Sequence, residues 1–284
     1  MKKILFLCLF LLTSTAFAES TTVNVIAAEN FYGDVAQQLG KPYVQVISVM
    51  NNPNQDPHLF SASPRTAVIL HKADIVIENG IGYDAWMDRL YAANHTKALL
   101  INVAQCSHKT LGMNPHIWYD PKTMPVFAQV FTNILIQKDP EHQVTYEKNL
   151  DDFLKIAQAY QARVATLREK TLGIKVTATE PVAGYLVQAL GLEMLNQKFQ
   201  QDVMNETDLT PKEIIDFQKS LSDSSDVRLF IYNVQVESSI TEQLKKRAVS
   251  HHIPVVGVSE MMPNHTHFYD WMNATLNDFQ QGLL

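Results

Sequence analysis

Cysteine is nearly missing from this chain. Of 284 residues only Cys8 and Cys106 are cysteine, and Cys8 lies in an apolar run at the N-terminus. No intrachain disulfide can staple the body of the fold, even in an oxidising compartment, so a hydrophobic core must hold it. Basic residues are short as well, with 23 Lys and Arg against 29 Asp and Glu. That balance excludes the basic face of a nucleic-acid or anionic-membrane binder. Two enzymatic signatures are also missing: the His-Glu-x-x-His helix of zinc hydrolases and the Gly-x-Ser-x-Gly nucleophile elbow. No low-complexity tract interrupts the chain. A composition of 46% hydrophobic and 18% charged residues excludes disorder and leaves room for one large domain or two lobes.

The one long apolar run is N-terminal. Lys2 and Lys3 precede Ile4 to Leu12, and Ala16-Phe17-Ala18 follows. A basic start, an apolar middle and a small-x-small site are the parts of a secretory signal peptide, and the run is too short to span a bilayer. Residues 1–18 are therefore expected to be cleaved on export. Cys8 stands inside the run rather than after it, which argues against a lipid-anchor role. The mature chain carries 21 basic and 29 acidic residues, a net charge of about −8.

Periodicity then organises the chain. Strands are expected over 22–28, 43–49, 74–80 and 98–103, with helices over 32–40, 63–73, 83–94 and 122–139 between or after them. From Pro140, with Asp139 as its expected cap, to Lys170 no glycine or proline occurs. Val144, Leu150, Phe153, Leu154, Ala157, Tyr160, Val164 and Leu167 recur there at helical steps, predicting one long helix able to join two lobes. The alternation restarts with strands over 174–180, 227–234 and 253–260 and helices over 182–192, 210–221, 238–252 and 268–283. The fold class expected is α/β, with two lobes, each a mostly parallel sheet flanked by helices, joined by one long linking helix. The segments are 19–139 for the N-terminal α/β lobe, 140–171 for the linking helix and 172–284 for the C-terminal α/β lobe.

Open α/β sheets bind ligands beyond the carboxyl ends of their strands. Four side chains stand there: His58 in "DPHLF", His116 in "NPHIW", Glu180 before Pro181, and Glu260 after "VVGVS". Two neutral imidazoles and two carboxylates make a donor set for a divalent transition metal. Pro57 and Pro115 stiffen the backbone ahead of each histidine, and Phe60 and Trp118 are expected to dry the rim. Asn233 and Gln235 are expected to line the cleft and bond the carboxylates.

The segments "AAENFYGDVAQQLG", "DPHLFSASPR", "NPHIWYDP", "TEPVAGYLVQALGL" and "VVGVSEMMP", in that order, resemble the metal-binding solute receptors of bacterial zinc/manganese ABC importers. The resemblance covers nearly all the mature chain. It implies two α/β lobes joined by a rigid helix with one Zn²⁺, Mn²⁺ or Fe²⁺ between them, His58 and His116 as ligands, Glu180 at the third position and Glu260 where an aspartate is usual. It also implies a periplasmic monomer that delivers its ion to an ABC permease with a cytoplasmic ATPase, touching the membrane only through that complex. The long His-rich loop of some zinc-type relatives is absent ahead of His116. The donor set suits Zn²⁺ or Mn²⁺ without deciding between them. Two other readings stay open on the residues alone: a secreted zinc-dependent hydrolase in which Glu260 is a base, and an adhesin stabilised by metal.

Overall fold

The computed structural model describes residues 22–236 and 238–284; the signal peptide expected over 1–18 lies outside them. The first half runs β1 (Val23–Glu29), α1 (Asn30–Gly40), β2 (Val44–Met50), α2 (Pro64–Leu70), β3 (Ile75–Glu78), α3 (Ala85–Asn94), β4 (Leu99–Asn102), α4 (Val103–Cys106) and α5 (Thr123–Lys138). After α6 (Gln143–Thr171) come β5 (Lys175–Ala178), α7 (Gly184–Ala189), β6 (Glu193–Leu195), α8 (Gln197–Met204) and α9 (Pro211–Ser220). The chain closes with β7 (Val227–Asn233), α10 (Ser239–Ser250), β8 (Val255–Val258) and α11 (Phe268–Leu283).

Each half is a four-stranded, wholly parallel sheet flanked by helices. The orders are β2-β1-β3-β4 and β6-β5-β7-β8, so both halves place their second strand outermost, then the first, third and fourth. Strands covered on both faces read as continuous apolar runs rather than alternations, as in buried Ile75-Val76-Ile77 and Leu229-Phe230-Ile231. The sequence patterns gave no assignment to 193–204, where β6 and α8 lie. A three-residue strand is too short to display a period, and Asn196, in the left-handed region at φ 54°, turns β6 into α8 with no loop to mark the boundary.

The long helix begins later than its proline suggests. Pro140–His142 form a 3-10 turn, and α6 proper spans 29 residues, about 43 Å at 1.5 Å per residue. Asp139 does not cap it. Its carboxylate accepts a hydrogen bond from the Tyr146 hydroxyl at 2.6 Å and pairs with His142 Nδ1 at 2.6 Å, bracing the turn from outside. The buried face is Tyr146, Leu150, Phe153, Ala157, Tyr160, Val164, Leu167 and Thr171, in alternating steps of four and three. Val144 is exposed, two residues before the stripe begins and on the other side of the helix.

α6 ties the halves into one core. Near its start Asn149 donates to the Leu39 and Lys41 carbonyls at the end of α1; near its end Arg168 and Thr171 reach the Gln188, Ala189 and Leu190 carbonyls at the end of α7. In its middle Phe153 and Tyr160 pack on Tyr269 of α11 with ring centroids 5.3 and 5.6 Å apart. A single apolar cluster runs from Val25 of β1 through Phe153 to Trp271 and Phe279 of α11. Sheets sharing a core in this way have little freedom to swing apart.

The first half also buries three carboxyl groups, Glu29, Glu78 and Asp84, at the carboxyl ends of β1 and β3. Asp84 accepts from the backbone N–H groups of Asn79 at 2.6 Å and Gly80 at 2.8 Å, yet burial outweighs these bonds and holds it up at about 6. Burial first, then the charge of Asp84, pushes Glu78 up to about 8 against the Asn102 amide. Burial, reinforced by Asp84, lifts Glu29 well above the usual carboxylate range.

Phe153→Ala should cost about 3–5 kcal/mol in urea unfolding, and Ile156→Ala, on the exposed side of the same helix, less than about 0.5 kcal/mol; equal losses would refute α6 as a core spine. For Glu78 the folded value lies above the ordinary 4.5, so folded protein keeps a proton that unfolded chain has lost, and stability falls as pH rises from about 4.5 to 8. Glu78→Gln should remove part of that slope and gain more stability at pH 8 than at pH 5 in denaturant titrations. A pH-independent gain would contradict the assignment.

Candidate metal centre

Two corners of one design deliver the histidines. After β2, Asp56 Oδ1 accepts from the backbone N–H of His58 at 2.9 Å, closing a turn over buried Pro57. After α4, Asn114 Oδ1 accepts from the N–H of His116 at 3.1 Å across Pro115. An Asx side chain caps the turn, proline fixes the backbone between, and the imidazole is left aimed by both. Asn114 does more: its Oδ1 also accepts from His116 Nδ1 at 2.7 Å. That bond places the proton on Nδ1 and leaves the Nε2 lone pair for a ligand.

Glu260 follows β8 and is fully buried. Its Oε2 lies 3.2 Å from His116 Nε2 and 3.7 Å from His58 Nε2, while its Oε1 accepts from Asn233 Nδ2 at 2.7 Å. Burial works to raise this carboxyl, but the His116 contact, the charge of both imidazoles and the Asn233 amide carry it below its ordinary value. The ligand atoms of His58, His116 and Glu260 all lie within 4.8 Å of one another, and among the described residues no other group of three His, Cys, Asp or Glu side chains does so. Atoms arranged tetrahedrally about 2.0–2.2 Å from an ion stand about 3.3–3.6 Å apart. A carboxylate oxygen and an imidazole lone pair facing at 3.2 Å repel unless a proton or a cation lies between them.

Glu180 is buried after β5, outside that trio. It connects through Asn233, whose Nδ2 lies 3.3 Å from Glu180 Oε2 while holding Glu260. Burial, then the charge of Glu260, pushes Glu180 up to about 7. Asn233 thus bonds both carboxylates as its sequence position suggested. Gln235 does not: its side chain meets only main-chain groups. Trp118 does not sit at a rim. It is buried beneath the site, its ring 5.3 Å from His116, 4.9 Å from Tyr83 and 4.6 Å from Phe31, and Tyr83 faces both histidines edge-on.

Both halves meet at these loops. Asn114 Nδ2 donates to the Pro181 carbonyl at 2.6 Å and Tyr185 donates to the Asn114 carbonyl at 3.0 Å. That approach needs Gly184, where a Cβ would lie 2.8 Å from Asn114 Nδ2. Tyr119 donates to the Ser259 carbonyl, Asn30 exchanges hydrogen bonds with the Met262 main chain, and Met261 packs among Ile26, Met50 and Trp86 of the first half. A cleft of about 960 Å³ opens between the halves, with His58 in its wall and His116, Glu180 and Glu260 outside it. Asn114 as an orienting residue was missed from sequence, though an Asx two residues before His is its signal.

The chain is 24% identical over 322 residues to the manganese ABC transporter substrate-binding lipoprotein ScaA of Streptococcus gordonii, covering 100% of this chain and 99% of that one. It is 24% identical over 199 residues to the iron-binding protein YfeA of Yersinia pestis, covering 64% and 59%. Among solved structures, the periplasmic zinc-binding protein TroA of Treponema pallidum has the same fold, with a TM-score of 0.77 at 14% identity over 92% of this chain and 99% of that one. Among the described residues no helix is long and apolar enough to cross a membrane. Residues 25–282 match the family model for ZnuA, the periplasmic component A of the zinc-uptake complex, and the chain therefore belongs to that family of divalent-metal-binding receptors for ABC importers, which are transport proteins and not enzymes.

Proposed function

We propose that this chain captures one divalent transition-metal ion as cargo through His58, His116 and Glu260, with Glu180 completing the shell, and hands it to an ABC permease driven by a cytoplasmic ATPase. The observation that carries this reading is the meeting of two imidazoles from the first half with a fully buried carboxylate from the second, at the spacing of ligands around one ion. The cargo is Zn²⁺ or Mn²⁺, with Fe²⁺ the third member of the class. Two carboxylates favour Mn²⁺ and Fe²⁺ as hard partners, whereas Zn²⁺ stands above both in the affinity order. The relatives named for manganese, iron and zinc span the same range.

The protein works as a periplasmic monomer after loss of residues 1–18, with lobes at 19–139 and 172–284 and the 140–171 segment as connector. The shared core around α6 and α11 supports a small closing movement rather than a wide hinge. Release requires the docked permease to disturb the ligand loops, because the four ligands come from four separate loops.

Isothermal titration should find one Zn²⁺ or Mn²⁺ per chain. His58→Ala and His116→Ala should each weaken binding by about tenfold or more with circular dichroism unchanged, and unaltered titration curves would refute the site. Glu180→His should shift competition titrations toward Zn²⁺ over Mn²⁺; an unchanged ratio would remove Glu180 from the shell.

A further inference from the structure

The cleft wall contains His58 and none of the other three ligands. His58 is also the one ligand with an exposed imidazole, at 26% of its side-chain surface. An ion leaving toward the cleft passes this residue, so whatever holds the His58 loop governs departure. Within the loop, bonds are local: Asn54 N–H to Asn52 Oδ1, Gln55 N–H to the Asn52 carbonyl, His58 N–H to Asp56 and Phe60 N–H to the Pro57 carbonyl. Among the described residues its only hydrogen bonds to the second half come from the Gln235 side chain. Gln235 Nε2 donates to the Pro53 carbonyl at 2.9 Å and to the Gln55 carbonyl at 3.0 Å.

The other end of the same amide faces the Glu260 loop. Gln235 Oε1 accepts from the backbone N–H groups of Glu260 at 2.5 Å and Met261 at 3.3 Å. All four hydrogen-bonding positions of the amide are used, and only one orientation satisfies two carbonyls on one side and two N–H groups on the other. The Gln235 N–H in turn donates to Asn233 Oδ1 at 3.0 Å, joining it to the residue that holds both carboxylates.

Resting on the metal-capture reading above, we propose that Gln235 is a positioning residue, a side-chain latch that ties the His58 loop to the Glu260 loop and sets how long the bound ion stays. The latch touches no ion. It acts by keeping the His58 imidazole at coordination distance from Glu260, so its loss speeds departure while leaving capture by His116 and Glu260 nearly as fast.

The test is stopped-flow kinetics on the full mature chain with Zn²⁺ and, separately, Mn²⁺: association by rapid mixing, dissociation by excess chelator. Gln235→Glu keeps an acceptor for the Glu260 and Met261 N–H groups but turns an oxygen toward the Pro53 and Gln55 carbonyls, cutting only the contact between halves. Gln235→Met keeps the length and removes both sets of bonds. Gln235→Glu should release the ion about tenfold faster with association changed less than about twofold, and Gln235→Met should release it at least as fast. The added charge of Gln235→Glu would by itself retain a cation, so faster release reports the latch. A general folding defect would slow association and broaden metal-free unfolding in both variants, and that pattern overturns the proposal. Wild-type release rates in both variants overturn the latch while leaving metal capture standing; a wild-type chain that binds neither ion overturns both.

Discussion

The structure turns on a carboxylate withdrawn from water. Glu260 is fully buried, and an isolated charge in that position is costly unless paired and hydrogen-bonded. Its partners come from three places: His58 and His116 from the first half and Asn233 from the second. No single lobe can satisfy it. The joint between the halves is therefore part of the site itself, and the shared core that α6 and α11 build around Phe153, Tyr160 and Tyr269 holds its two sides in register.

Local chemistry orients both histidines. Asp56-Pro57-His58 and Asn114-Pro115-His116 cap and stiffen their own turns, so less conformational freedom is left to lose on binding. The two histidines are nevertheless unequal. His116 is buried, its tautomer set by Asn114, and packed among Tyr83 and Trp118; His58 is partly exposed and faces the cleft. The two imidazoles therefore stand in different surroundings, one sealed in the interior and one open to the cleft.

The buried carboxyl groups follow opposite electrostatics. Glu260 has the His116 contact and the Asn233 amide and is carried below its ordinary value, whereas Glu29, Glu78 and Asp84 have mostly burial and one another and are pushed up. Glu180 stands between these cases, raised to about 7 by burial and by Glu260. A divalent cation beside Glu260 and Glu180 would favour their ionised forms, which would couple binding to the loss of protons.

Much of this was readable in the chain. The strands at β1, β2 and β7 and the helix over 268–283 follow from apolar periodicity, which is a local property. The placement of Glu180 and Glu260 just past β5 and β8, and of His58 and His116 in the loops after β2 and α4, was equally local. Tertiary structure alone decided which of them meet. Glu260, where the resemblance implied an aspartate, lies between both imidazoles, and Glu180 joins only through Asn233. It also decided that Trp118 is floor rather than rim, that Gln235 bonds main chain rather than carboxylate, and that 193–204 adds a fourth strand. A sequence period records which face of an element is apolar, but distances between loops far apart in the chain depend on how two sheets dock, and no local pattern carries that information.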